Sequence, residues 1–208
     1  GHICLSVYSS GGFRQLGNAT KPIHVPGDMK GLKWRTTKSP VEFMLVKNWG
    51  ATPTPYDWSQ LYSGLQSGVV EGQYVASPWQ HVAKLHEVAK YFTEIGGMWS
   101  GNILAMDAKQ YNALSSQEKK WLHEAADAYG EKVNQLDNAW IKNGEDAIKA
   151  SAKEWYVPSE AEMSKWREGA IGAWLDAKGT FEPEIAKRVL LEQGMDGFVA
   201  QLEKAGAL

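Results

Sequence analysis

The chain carries one cysteine in 208 residues, Cys4. A single cysteine excludes an internal disulfide framework. Cys4 lies in the β-like run ICLSVY with no histidine close in sequence, so it reads as a buried structural thiol and not as a nucleophile. Histidine is scarce as well. His2, His24, His81, His86 and His123 form no metal-ligand spacing, and His81 and His86, five apart, do not stack on one helical face. No basic run reaches four residues and the net charge is −2, which argues against nucleic acid or an anionic membrane as partner. No segment approaches the roughly 18 apolar residues of a membrane span. The start has neither a basic nor an apolar leader region; Gly1-His2 opens straight into a strand, an opening expected of a truncated, processed or recombinant terminus. There is no GxSxG elbow, P-loop or GxGxxG fingerprint. Glu118, Glu124, Asp127 and Glu131 fall on a polar helix face, where solvation is their default role. These absences leave no catalytic set, no cofactor cradle and no metal site.

Tryptophan, by contrast, is abundant, with ten residues. Flat indoles stack on sugars and cations, but most are expected to fill cores. Glycine and proline punctuate the first half. Residues 3–9 alternate as a strand, Gly11-Gly12 suggests a turn or hinge, and a second strand is expected over Phe13–Leu16. Asp28-Met29-Lys30-Gly31 reads as one helical turn, and Leu32–Thr36 as a strand. Ser39-Pro40 then caps a helix that Gly50 ends. After the rigid TPTP stretch, Asp57 is expected to cap a helix bearing Trp58, Leu61, Tyr62 and Leu65, which Gly68 ends. A strand starts at Val69-Val70, Pro78 opens the helix WQHVAKLHEVAK, and strands follow near 91–95 and 102–106. Strands and helices alternating one by one predict an α/β fold.

The second half is helical. Ser115-x-x-Glu118 is a capping box, and Trp121, Ala125, Tyr129, Val133, Leu136 and Trp140 recur at helical spacing. Forty helical residues would run about 60 Å, several times the roughly 13 Å radius of gyration of a 100-residue domain. Such a helix either spans two lobes or breaks at Gly130 or Gly144. Helices over 160–177, opened by the capping box Ser159-x-x-Glu162, and 183–205 follow, the second interrupted near Gly194.

Two arginines stand out. Arg35 sits at the end of the predicted strand Leu32–Thr36, where ligand sites of open α/β sheets lie. Its planar fork suits a carboxylate. Arg14 follows the Gly11-Gly12 pair. On residue type alone, each reads equally as half of a salt bridge.

As an ordered set these segments resemble the substrate-binding proteins of tripartite ATP-independent periplasmic (TRAP) transporters. The residues that carry the resemblance are GFRQ at 12–15, the run from Asp28 through Lys33 to Arg35, GATPTP at 50–55 and LYSGLQSGVVEGQ at 61–73. The resemblance covers essentially the whole chain, strongly over 11–95 and weakly in the helical tail. It implies a two-lobed, periplasmic-binding-protein-like α/β fold with a long helix crossing both lobes. It also implies a non-enzymatic role: capture of a small organic acid by closure of the lobes, and delivery to a TRAP membrane permease from a periplasmic location.

By position, Arg35 matches the arginine that pairs with the ligand carboxylate, Arg14 an assisting arginine, and Trp58 an aromatic ring that packs on the ligand. An asparagine that members often place two residues after the GQ dipeptide is Val75 here, which moves that contact to Gln73, Ser77 or Asn102. The Glu-Trp pair of a cation-holding branch is missing from YVASPW, so no metal is expected. Set against members of about 300 residues, the resemblance implies a ligand-binding lobe over 13–103 plus 146–208. A remnant of the other lobe, over 1–12 plus 104–145, would include the long helix and expose an apolar patch. The competing readings are a small α/β carbohydrate-active or acid-modifying enzyme domain, and a non-transport ligand-sensing module of the same fold.

Overall fold

The computed structural model describes residues 1–208. Seven strands and eight α-helices alternate over the first half and give way to helices in the second. The strands are β1 (His2–Asn18), β2 (Lys33–Thr36), β3 (Thr52–Pro55), β4 (Gly72–Ala76), β5 (Tyr91–Thr93), β6 (Trp99–Asp107) and β7 (Glu154–Tyr156). The helices are α1 (Pro40–Asn48), α2 (Leu61–Ser67), α3 (Ser77–Val82), α4 (Ala108–Ala113), α5 (Ser116–Ser151), α6 (Glu160–Asp176), α7 (Pro183–Glu192) and α8 (Asp196–Ala205).

The chain divides into two compact units. The first comprises residues 1–15, 75–86 and 96–151, and the second residues 16–74, 87–95 and 152–208. The sequence-based division grouped 75–86 with 13–103. In the structure α3 packs on α5, and that segment belongs to the first unit.

In the second unit the strand order is β3-β2-β4-β1-β5-β7, with residues 16–18 of β1 paired antiparallel to β5. β2 runs parallel to β3 and β4, and β5 parallel to β7. The predicted rigid TPTP link is in fact the edge strand β3. Proline lacks a ladder N–H and is confined to such edges, which is why the segment did not read as a strand. Ser39 accepts from Glu42 N at the start of α1, Pro40 takes its first position, and Gly50 follows the helix with φ 92°. α1 packs on α6. Between them Trp49 Nε1 donates to the Trp166 carbonyl at 3.2 Å, and the two rings meet edge to face. α8 closes the chain on a small core of Leu190, Phe198, Val199 and Leu202.

In the first unit β1 and β6 pair antiparallel, with register shifts between Cys4 and Ser6 and between Ser9 and Gly12. Gly11-Gly12 is therefore a bulge inside one 17-residue strand, not a turn between two. Both glycines take positive φ, 91° and 70°, which admits two extra residues between the pairs Ser9↔Gly101 and Gly12↔Ser100 without ending the ladder. Cys4 is exposed, contrary to the buried thiol expected, because alternation along β1 turns it away from the buried Leu5.

α5 runs 36 residues without a break, about 54 Å. Its glycines mark close approach, not weakness. A Cβ on Gly130 would lie 2.5 Å from Ser6 Oγ, and one on Gly144 would lie 2.7 Å from the Pro78 backbone. Val7 and Ile103, partners across β1 and β6, are 54% and 66% exposed, and Trp121, Tyr129 and Leu136 on α5 are exposed as well. No helix is long and apolar enough to cross a membrane.

Candidate functional site

Arg35 is set by strand alternation. Trp34 and Thr36 share one face of β2 and Arg35 takes the other. Trp34 is fully buried against Gly72 of β4, where a Cβ would fall 2.2 Å from the indole. That glycine lets the two parallel strands close over the ring, and it sets the register Trp34↔Gly72 that places Gln73 alongside Arg35. Gln73 is fully buried.

Arg35 is only 6% exposed. Its Nε donates to the Tyr56 carbonyl at 3.0 Å. The Tyr56 N–H in turn donates to the Thr36 carbonyl at 3.1 Å, extending the β2–β3 ladder by one bond. Two residues on, the Trp58 ring centroid lies 5.9 Å from Arg35 Cζ, within cation–π range. Trp58 begins a short 3₁₀ turn ahead of α2 and is 41% exposed. Asp57 does not cap this turn through its side chain, in contrast to the expectation. The second unit thus brings together Arg35, Trp58 and Gln73.

Arg14, Ser77 and Asn102 belong to the first unit. Arg14 is half-buried two residues past the bulge, and its N–H donates to the Met98 carbonyl at 2.8 Å. The bulge is held by α5: Asp137 accepts from Gly11 N at 2.9 Å and from Ser9 Oγ at 2.5 Å, and Asn134 Oδ1 accepts from Ser9 N at 2.9 Å. Ser77 starts α3, and its hydroxyl is buried with no hydrogen-bond partner. Asn102 pairs with Tyr8 across the sheet and lines a cavity of about 200 Å³ together with Tyr8, Leu136, Asp137 and Trp140.

Two of these contacts were not foreseen. Tyr56 acts through its backbone, which leaves no trace in side-chain pattern. Asp137 had a signal: a carboxylate one residue after Leu136 and three before Trp140, on a helix stripe otherwise apolar. No group of three or more His, Cys, Asp or Glu side chains is placed to hold a metal ion. Chemically, the second unit offers a fixed, buried guanidinium beside an open indole face, which suits an anion carrying an apolar or ring portion.

The chain is similar to known solute-binding proteins. The ectoine-binding periplasmic protein TeaA of Halomonas elongata is 29% identical over 150 residues, 72% of this chain and 43% of its own length. The 2,3-diketo-L-gulonate-binding periplasmic protein YiaO of Escherichia coli is 28% identical over 123 residues, 59% of this chain and 38% of its own length. A solute-binding protein of Verminephrobacter eiseniae is 32% identical over 129 residues, 61% of this chain and 38% of its own length. The matched part thus spans about two-fifths of these relatives.

Among solved structures, the Halomonas elongata ectoine-binding protein superposes with a TM-score of 0.78 at 26% identity, covering 98% of this chain and 65% of that one. A TRAP periplasmic solute-binding protein from Shewanella oneidensis with bound succinate gives 0.82 at 20% identity, covering 97% and 63%. The fold is therefore the α/β fold of periplasmic binding proteins, as expected from the sequence, and both solved structures are described as binding proteins of TRAP transporters. The sequence profile described as bacterial extracellular solute-binding protein, family 7 (DctP) matches residues 1–179, and the chain belongs to that family.

Proposed function

We propose that the chain captures a small carboxylate-bearing solute, with Arg35 as the anion anchor and Trp58 as the wall against which the rest of the ligand packs. The observation that carries this reading is Arg35 itself: a buried arginine, 6% exposed, steered by a backbone carbonyl and next to an exposed indole. With Nε engaged by Tyr56, a carboxylate that takes two parallel bonds does so on the Nη1–Nη2 edge. Gln73, Arg14, Ser77 and Asn102 are the further polar candidates.

The relatives support the acid class. Their names and bound molecules include ectoine, 2,3-diketo-L-gulonate, galacturonate and succinate. The role that follows is binding without turnover, in the periplasm, with delivery to TRAP-type membrane permease subunits. Calorimetric titration with succinate, D-glucuronate and ectoine tests it. One of these or a related acid is expected to bind, and Arg35→Ala is expected to abolish most of the affinity. Equal affinity in the variant would overturn the anchor assignment.

A further inference from the structure

Gly64 is a helix-interior glycine, placed where alanine would suit α2 better. Its reason is steric. A Cβ there would lie 2.6 Å from Tyr56 Cε1 and 3.0 Å from Tyr56 Cζ. The Tyr56 ring therefore packs against the bare backbone of α2 at Gly64. The same residue braces the anion anchor at two points, its N–H bonded to the Thr36 carbonyl and its C=O to Arg35 Nε. Trp58, whose ring faces Arg35 Cζ at 5.9 Å, follows two residues later on the same short segment.

We propose that Gly64 is a positioning residue: by admitting the Tyr56 ring, it holds the Tyr56 carbonyl where it aims the Arg35 guanidinium. Tyr56 has only two side-chain torsions, each confined to a few wells, so a ring displaced by α2 strains the short backbone segment that carries it. A methyl group on α2 pushes the ring outward, the ring carries residues 56–58 with it, and both the Arg35 bond and the Trp58 wall move. The inference rests on the carboxylate-binding reading for its functional meaning, but not for its structural content. Misplacement of a binding group by a fraction of an ångström is enough to lower affinity severalfold or more.

The test is a double-mutant cycle on the full chain with two readouts. The first is solvent exchange of the Arg35 Nε–H by NMR without ligand; the chain has four arginines, and Arg35→Lys assigns the signal. Gly64→Ala is expected to speed this exchange about tenfold. In a Tyr56→Leu background, whatever that change costs alone, adding Gly64→Ala is expected to cost little further. Tyr56→Trp, which leaves α2 unaltered, is expected to reproduce the loss should Gly64→Ala fail to fold. Unchanged exchange in Gly64→Ala, or equal losses in both backgrounds, overturns the proposal.

The second readout is the dissociation constant of whichever of succinate, D-glucuronate or ectoine binds the wild type, expected to follow the same coupling. If neither these three nor a related acid binds, or if Arg35→Ala binds as wild type does, the carboxylate reading fails. The exchange data still decide the role of Gly64. Melting temperature separates positioning from folding: alanine in a helix does not by itself lower it.

Discussion

Pro78, at the start of α3, lies directly on Gly144 of α5: a Cβ added to Gly144 would stand 2.7 Å from both the Cα and the N of Pro78. The neighbouring atoms are backbone, so neither helix can yield without moving as a whole. This contact explains why α5 needs a glycine in its last quarter and why that glycine does not break it.

Gly144→Ala is therefore expected to destabilise the protein by about 1–3 kcal/mol, the usual cost of overpacking. Gly130→Ala meets only the Ser6 hydroxyl, a side-chain atom that can rotate away, and is expected to cost less. Chemical denaturation of the two variants checks the order. Equal losses would mean the Pro78 contact is softer than its geometry indicates.

Arg35→Ala is expected to weaken binding of the carboxylate ligand by about 3–5 kcal/mol, as for removal of one partner of a buried pair. Arg35→Lys keeps the charge but loses the fork and the Nε bond to Tyr56, so it should recover only part of the affinity. Isothermal titration of the three proteins measures both steps.

Trp58 is exposed and starts a 3₁₀ turn, so its loss should spare the fold. Trp58→Ala is expected to change the melting temperature little while costing about 1–2 kcal/mol of ligand affinity through lost ring contact. A large fall in stability with unchanged affinity would instead assign the ring to packing.

Glu162 gives a pH-dependent prediction. It accepts from the Ser159 side chain, the Tyr156 hydroxyl and the Ser159 N–H, and these bonds hold its carboxyl at about 2, below the 4.5 of a free glutamate. A depressed carboxyl contributes its stability above the unfolded value and loses it as pH falls through the folded one. Glu162→Gln should therefore melt at a lower temperature than wild type at pH 7. The gap should narrow between about pH 4.5 and pH 2. A gap that does not depend on pH would show that the capping box works without the charge.

Local chemistry made much of the fold legible in advance. Ser39-Pro40 and Gly50 bracket α1, Ser159 and Glu162 form the capping box of α6, and Gly194 with φ 70° separates α7 from α8, all as the sequence indicates. Arg35 and Trp58 were likewise legible as candidates, and the structure brings them within 5.9 Å. What was not legible are contacts whose signal is backbone or absence. TPTP reads as a link because proline hides an edge strand. Gly11-Gly12 reads as a turn because a bulge and a turn call for the same positive φ. The helix WQHVAKLHEVAK is cut short, as α3 ends at Val82 and Lys84 takes φ 57°.

The sequence by itself determined the family and the α/β alternation and singled out the arginine proposed as the anchor, because caps, turns and motif order are local properties of the chain. The tertiary structure alone decided that α5 stays whole, that Cys4 faces outward and that Tyr56 steers Arg35. Each of those depends on how closely two distant backbones approach, which no local pattern encodes.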